Sequence, residues 1–175
     1  MTTWFTSDWH LYHENIIGSC ERPFKGHEQM NRTLMENYCD AVKDDDTVYF
    51  LGDLTMRGPK QIDGIRKLVM KMPGKKHLLL GNHDRLKVNS YLKMGFVSVH
   101  TSLDIERGRV PYHLVHDPKD ALPGTKYLIC GHVHDNWRCR RQPYPTVNVG
   151  VDVWGFAPVR FHDVVHTMHR MSLGN

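Results

Sequence analysis

The chain has 175 residues, 40% of them hydrophobic and 24% charged, and its 23 lysines and arginines against 19 aspartates and glutamates leave a formal charge of +4. This excludes disordered, collagen-like and disulfide-stapled classes and suits one domain over residues 1–175, with a charge too small and scattered to demand nucleic acid. No apolar run nears the roughly 18 residues of a membrane span, and Met1 to Phe5 lacks a basic-then-apolar signal, so a cytoplasmic protein without membrane partners is expected. Thr3 to Ser7 reads as a first strand. From His27 to Val42, Met30, Leu34, Tyr38 and Val42 recur at spacing four, which predicts an amphipathic helix. Asp44, Asp45 and Asp46 then read as a solvated turn. A second strand is predicted over Thr47 to Leu51, then a helix from Pro59 to Met70 that Pro73-Gly74 closes. Lys76 to Leu80 follows as a third strand and Asn89 to Met94 as a short helix.

The second half is richer in strand signals. Phe96 to Thr101, Leu103 to Glu106 and Arg109 to Val115 alternate as strands, the last two joined by an Arg107-Gly108 turn. Tyr127 to Cys130 and Thr146 to Val153 are further strands, and Phe161 to Met171 a terminal helix. This alternation of helices and strands is that of an α/β protein. The four cysteines, Cys20, Cys39, Cys130 and Cys139, form no C-x-x-C pair and read as buried thiols.

The chemistry gathers where the apolar runs end. Phe5-Thr6-Ser7 leads into Asp8-Trp9-His10, Phe50-Leu51-Gly52 into Asp53, and Leu79-Leu80-Gly81 into Asn82-His83-Asp84. His113-Leu114-Val115 leads into His116, and Ile129-Cys130-Gly131 into His132-Val133-His134. Five strands thus deliver oxygen or imidazole donors at their carboxyl ends, where α/β sheets collect their sites. Two carboxylates, an amide oxygen and four imidazoles, with no obligatory thiolate, favour manganese, iron, zinc or nickel. Asp8 and His10, two apart on an extended step, are expected to project to one side and share an ion. His132 and His134 are related in the same way, or a twist of the loop sends them to neighbouring ions.

Taken together, Asp-x-His, Gly-Asp, Gly-Asn-His-Asp, a lone His and Gly-His-x-His resemble the calcineurin-like metallophosphoesterase superfamily, in the family's order over residues 8 to 134. The resemblance implies two mixed β-sheets packed as a sandwich flanked by helices, with two divalent ions, manganese foremost, at the strand ends. It assigns Asp8, His10 and His134 to one ion, Asn82, His116 and His132 to the other, and Asp53 to both. A hydroxide between the ions would attack phosphorus, with His83 as general acid and Asp84 orienting its imidazole. Arg57, Asn15, His13, Trp137 and Arg138 are candidate substrate contacts. The function expected is hydrolysis of phosphodiester or nucleotide-type substrates. Phosphomonoester or pyrophosphate hydrolysis, a nuclease and a non-catalytic scaffold are the alternatives. A structural zinc site at Cys130, His132, His134 and Cys139 competes for part of this set. His162, His166 and His169 read as a polar stripe on the last helix.

Overall fold

The computed structural model describes residues 1–56 and 61–172. Its first half comprises β1 (Thr3–Thr6), α1 (Asn15–Ser19), α2 (His27–Ala41), β2 (Thr47–Phe50), α3 (Ile62–Lys71), β3 (Lys75–Leu79), α4 (Val88–Lys93) and β4 (Phe96–His100). The second half comprises β5 (Ser102–Arg107), β6 (Val110–Val115), β7 (Leu128–Cys130), β8 (Cys139–Arg140), β9 (Thr146–Asn148), β10 (Val159–Arg160) and α5 (Phe161–Ser172). Two five-stranded sheets result, ordered β10-β1-β2-β3-β4 and β5-β6-β7-β9-β8. In the first, β1 to β4 run parallel and β10 is antiparallel. In the second, β6, β7 and β9 run parallel between the antiparallel edges β5 and β8.

Strand alternation distributes the core. Trp4, Phe50 and Leu78 face the helices, packing with Met30, Leu34 and Tyr38 of α2 and Ile65 and Val69 of α3. Phe5, Leu51 and Leu79 point the other way, onto Tyr112, Leu114, Ile129 and Val147 of the second sheet. Val164 and Met168 of α5 join this inter-sheet layer. The first sheet is therefore apolar on both faces, as a parallel sheet inside a layered fold must be. Strand ends of both sheets, β1, β2 and β3 of the first and β6 and β7 of the second, deliver the loops that carry the site. No helix among the described residues is long and apolar enough to cross a membrane.

Several local expectations are corrected. α1, β8 and β10 are additions to the elements expected, and with five, two and two residues they are too short to show a period. The apolar run from Thr146 to Val153 is not one strand. The Asn148 side chain accepts the Gly150 N–H at 2.8 Å and turns the chain into a 3-10 helix over Val151–Val153. Asp46 is no solvated turn residue: it is buried, and its carboxylate accepts from the Thr2 N–H at 2.5 Å, the Trp4 indole at 3.0 Å and the Lys43 N–H at 3.1 Å. Of the cysteines only Cys130 is buried; Cys39 is exposed, and Cys20 and Cys139 are half-buried. The helix predicted from Pro59 is described only as Ile62–Lys71, Pro59 lying outside the described residues.

Candidate metal centre

The loops after β1 and β2 run side by side. The N–H groups of Asp8, His10 and Leu11 donate to the carbonyls of Gly52, Asp53 and Leu54 at 3.0, 3.0 and 2.9 Å. Asp8 and His10 do not lie on an extended step. Their φ angles are +60° and +49°, and Asp53 (+54°), His132 (+71°) and His134 (+48°) share this left-handed backbone. Such conformations are uncommon outside glycine and persist where the surroundings over-determine them. Two glycines make room for the crossing. A Cβ on Gly81 would stand 2.5 Å from the Asp53 nitrogen, and one on Gly131 would stand 2.7 Å from Asp8 Oδ2.

These loops bring the seven candidate ligands into two adjoining groups. Asp8, His10 and His134 offer donor atoms within 4.8 Å of one another, as do Asp53, His116 and His132. Asn82 Oδ1 joins the second group, 3.1 Å from His116 Nε2 and 3.0 Å from His132 Nδ1. Asp53 Oδ2 stands between the groups, 3.3 Å from His116 Nε2 and 3.5 Å from His10 Nε2. His132 and His134 therefore turn to different groups.

His10 tests whether these residues suit a cation. Its imidazole is 1% exposed, yet neither ring nitrogen has a hydrogen-bond partner among the described residues. A buried imidazole without hydrogen bonds is costly, and a cation accepting its lone pair would remove the part of that cost that falls on the acceptor nitrogen. The neighbouring histidines are held from behind. His116 Nδ1 meets the Leu51 carbonyl at 2.6 Å, His132 Nε2 meets Asp117 Oδ2 at 3.3 Å, and His134 Nδ1 meets Asp152 Oδ2 at 3.2 Å. Such partners orient metal-binding imidazoles. Donor set, orphaned ring and outer partners all fit divalent ions.

A match to the family model for calcineurin-like phosphoesterases covers residues 1–154 and so takes in every one of these loops. The chain belongs to the calcineurin-like phosphoesterase family. It is 32% identical over 173 residues to the uncharacterized protein MJ1445 of Methanocaldococcus jannaschii, covering 94% of this chain and 89% of that one. Among solved structures, the protein of unknown function AQ665 from Aquifex aeolicus matches with a TM-score of 0.76 at 26% identity, over 94% of this chain and 98% of the other. An archaeal phosphodiesterase shares the fold at a TM-score of 0.52 and 16% identity, over 86% and 84% of the two chains.

Charge in the centre of this phosphoesterase is set by a contest between burial and proximity. Burial disfavours protonation of His116, but the carboxylates of Asp53 and Asp8 outweigh it and raise its pKa to about 9. For His134 burial is likewise overcome, chiefly by Asp152, and its pKa rises to about 10. Burial would raise Asp53, yet its bonds to His116 and the His83 N–H hold it down to about 2. For Asp8 burial wins over the nearby histidines and raises it, and for His10 burial wins over Asp53 and lowers it to about 3. Protons on His116 and His134 thus balance the carboxylates, and a cation held by these imidazoles would displace them.

The remaining candidates of the phosphoesterase divide. His83 borders the centre, its Nε2 4.0 Å from Asp53 Oδ2 and its ring 5.5 Å from that of His10. Asp84 does not orient it. The Asp84 carboxylate instead accepts from the N–H groups of Asp53, Gly81 and Leu54 at 2.7, 3.0 and 3.1 Å, tying two ligand loops together. Burial raises the Asp84 pKa to about 7. The His13 ring lies 5.9 Å from that of His10, and Asn15 is exposed at the first position of α1. Trp137 lines a cleft of about 540 Å³ that reaches His132 and is also bordered by Asp117, Lys119, Arg140 and Tyr144. Arg138 is turned away from that cleft: it donates to the Val153 carbonyl at 2.9 and 2.5 Å, lies over the Trp154 ring and borders another cavity with Cys139 and His166. Arg140, whose guanidinium sits 4.6 Å above the Trp137 ring, takes the place expected of it. Arg57 lies outside the described residues.

The competing zinc reading loses its geometry, because Cys130 packs in an apolar cluster with Val115 and Leu128 while His132 and His134 diverge. A third grouping, Cys20, His134 and Asp152, has its carboxylate already taken by Arg22, at 2.7 and 2.9 Å. His162, His166 and His169 are exposed on α5. Sequence reasoning missed Asp117, Asn148, Asp152 and Arg22. Only Asp117, directly after His116, stood beside a motif. Asn148 Nδ2 holds the His134 and Trp137 carbonyls at 2.8 and 2.9 Å and so shapes the last ligand loop.

Proposed function

We propose that this phosphoesterase hydrolyses phosphodiester or nucleotide-type substrates with two divalent ions, manganese foremost, held on either side of Asp53. Asp8, His10 and His134 would hold one ion, and Asn82, His116 and His132 the other. The observation that carries the reading is the buried His10 imidazole, without a hydrogen bond on either nitrogen among the described residues and 3.5 Å from the carboxylate oxygen that also faces His116. Bound ions supply Lewis acidity, drawing charge from phosphoryl oxygens and lowering the pKa of water towards neutrality.

The chain's own side chains supply the rest. His83, 29% exposed at the rim of the centre, would give a proton to a departing oxygen. Asp84 holds the backbone of Asp53 and Gly81, fixing the loops from which Asp53 and His83 project. The cleft beside His132 supports a second ester arm. Its volume of about 540 Å³ exceeds what a phosphoryl group needs, Lys119 and Arg140 offer cations to an anionic arm, and the Trp137 ring offers a flat surface.

The test is to strip the purified chain of metal, add Mn²⁺, and compare bis-nitrophenyl phosphate with nitrophenyl phosphate. Preferential turnover of the diester supports the reading. Preference for the monoester replaces it with phosphomonoesterase activity, and no turnover with any divalent ion favours a non-catalytic scaffold.

A further inference from the structure

Arg22 is a buried cation with no role in the seven-ligand set. Its side chain is 0% exposed, and all five guanidinium N–H donors are engaged. Nε donates to Asp152 Oδ1 at 2.7 Å, one terminal nitrogen to Asp152 Oδ2 at 2.9 Å and to the Asp8 carbonyl at 2.7 Å, and the other to the Trp9 carbonyl and Met30 Sδ, both at 3.2 Å. Two routes lead from this one group to the same half of the centre. The first is the backbone of Asp8, held at φ +60°. The second is Asp152, whose Oδ2 also meets His134 Nδ1 at 3.2 Å. Asp117 stands in a comparable place behind His132, in the other half.

We propose that Arg22 and Asp152 are positioning residues that set the Asp8 turn and the His134 ring so that this half of the centre holds its ion. The inference rests on the two-ion reading given above. Stability alone accounts poorly for the pair, since a buried ion pair is often no more stabilising than apolar side chains of the same volume. The demand for two parallel bonds to a carboxylate and two more to adjacent carbonyls is one that a lysine ammonium cannot meet.

Mn²⁺ alone, titrated calorimetrically into the metal-stripped full chain and followed by electron paramagnetic resonance, provides the test for Arg22→Lys and Asp152→Asn. The parent is expected to bind two ions with the spectrum of a coupled pair. Each variant is expected to keep one ion at parental affinity, to bind the other about 10–100-fold more weakly, and to show an isolated-ion spectrum at the first equivalent. Should Arg22→Lys fail to fold, as near-ultraviolet circular dichroism would report, the isosteric Asp152→Asn carries the test. Variants that bind both ions as the parent does, or folded variants that lose both equally, overturn the inference and leave the two-ion reading standing. A parent that binds no ion overturns that reading as well.

Discussion

Replacing Gly81 with alanine should damage the centre with a single methyl group. The added Cβ would stand 2.5 Å from the Asp53 nitrogen and 2.8 Å from its Cγ, with Oδ1 closer still, whereas real Cβ contacts essentially never fall below 3.0 Å. The neighbour cannot swing aside freely, because the Asp53 N–H is bonded to Asp84 at 2.7 Å and Oδ1 accepts the His83 N–H at 2.9 Å. The carboxylate between the two ligand groups must therefore move by about 1 Å, a misplacement that can cost on the order of 100-fold in rate. Overpacking of this kind also costs about 1–3 kcal/mol of stability. The assay pairs turnover of bis-nitrophenyl phosphate in Mn²⁺ with urea unfolding of the metal-stripped chain. A stability loss in this range with a rate loss near 100-fold is expected. Parental turnover by Gly81→Ala would refute the placement of Asp53 against Gly81 and the bridging role built on it.

Other perturbations separate the remaining roles. His83→Ala should keep both ions and lose about 100- to 10,000-fold in rate on alkyl esters but far less on nitrophenyl esters; equal losses on the two would count against the acid role. Asp117→Asn should weaken one Mn²⁺ about 10–100-fold in calorimetry by freeing the His132 ring, and unchanged binding would remove Asp117 from the support of the centre. Asp46→Ala leaves the Thr2 and Lys43 N–H groups and the Trp4 indole without their shared acceptor, and should cost about 3 kcal/mol in urea unfolding. Burial alone would raise the Asp46 pKa, but those hydrogen bonds and the terminal ammonium outweigh it and hold the folded value below 3.8. Its contribution is thus complete above 3.8 and fades as pH falls through the folded value, so the gap between parent and variant should narrow on acidification; a gap independent of pH would contradict this sign.

Much of this was legible because it is local. Apolar runs that end in Gly-Asp, Gly-Asn-His or Gly-His-x-His mark strands that hand donor atoms to loops, and the observed β1, β2, β3, β6 and β7 end within three residues of Asp8, Asp53, Asn82, His116 and His132. What failed was local reasoning about long-range matters. Asp8 and His10 were spaced as for an extended chain, yet pairing with the loop after β2 holds both at positive φ. Asp46 lies in a run of three acidic residues that looks like a surface turn, and only the approach of Thr2 and Trp4 buries it. Asp84 sits next to His83 in the chain, but backbone donors from another loop claim its carboxylate.

The amino-acid order alone determined which donor atoms are available and that strands present them at their ends, since residue type and hydrophobic period are properties of short stretches. It could not decide how those donors are shared. His132 and His134 are two residues apart and turn to opposite sides of Asp53, and Arg22 reaches Asp152 across 130 positions to brace one of those sides. Both outcomes depend on where separate loops meet when two sheets pack, and that meeting is decided by the whole fold.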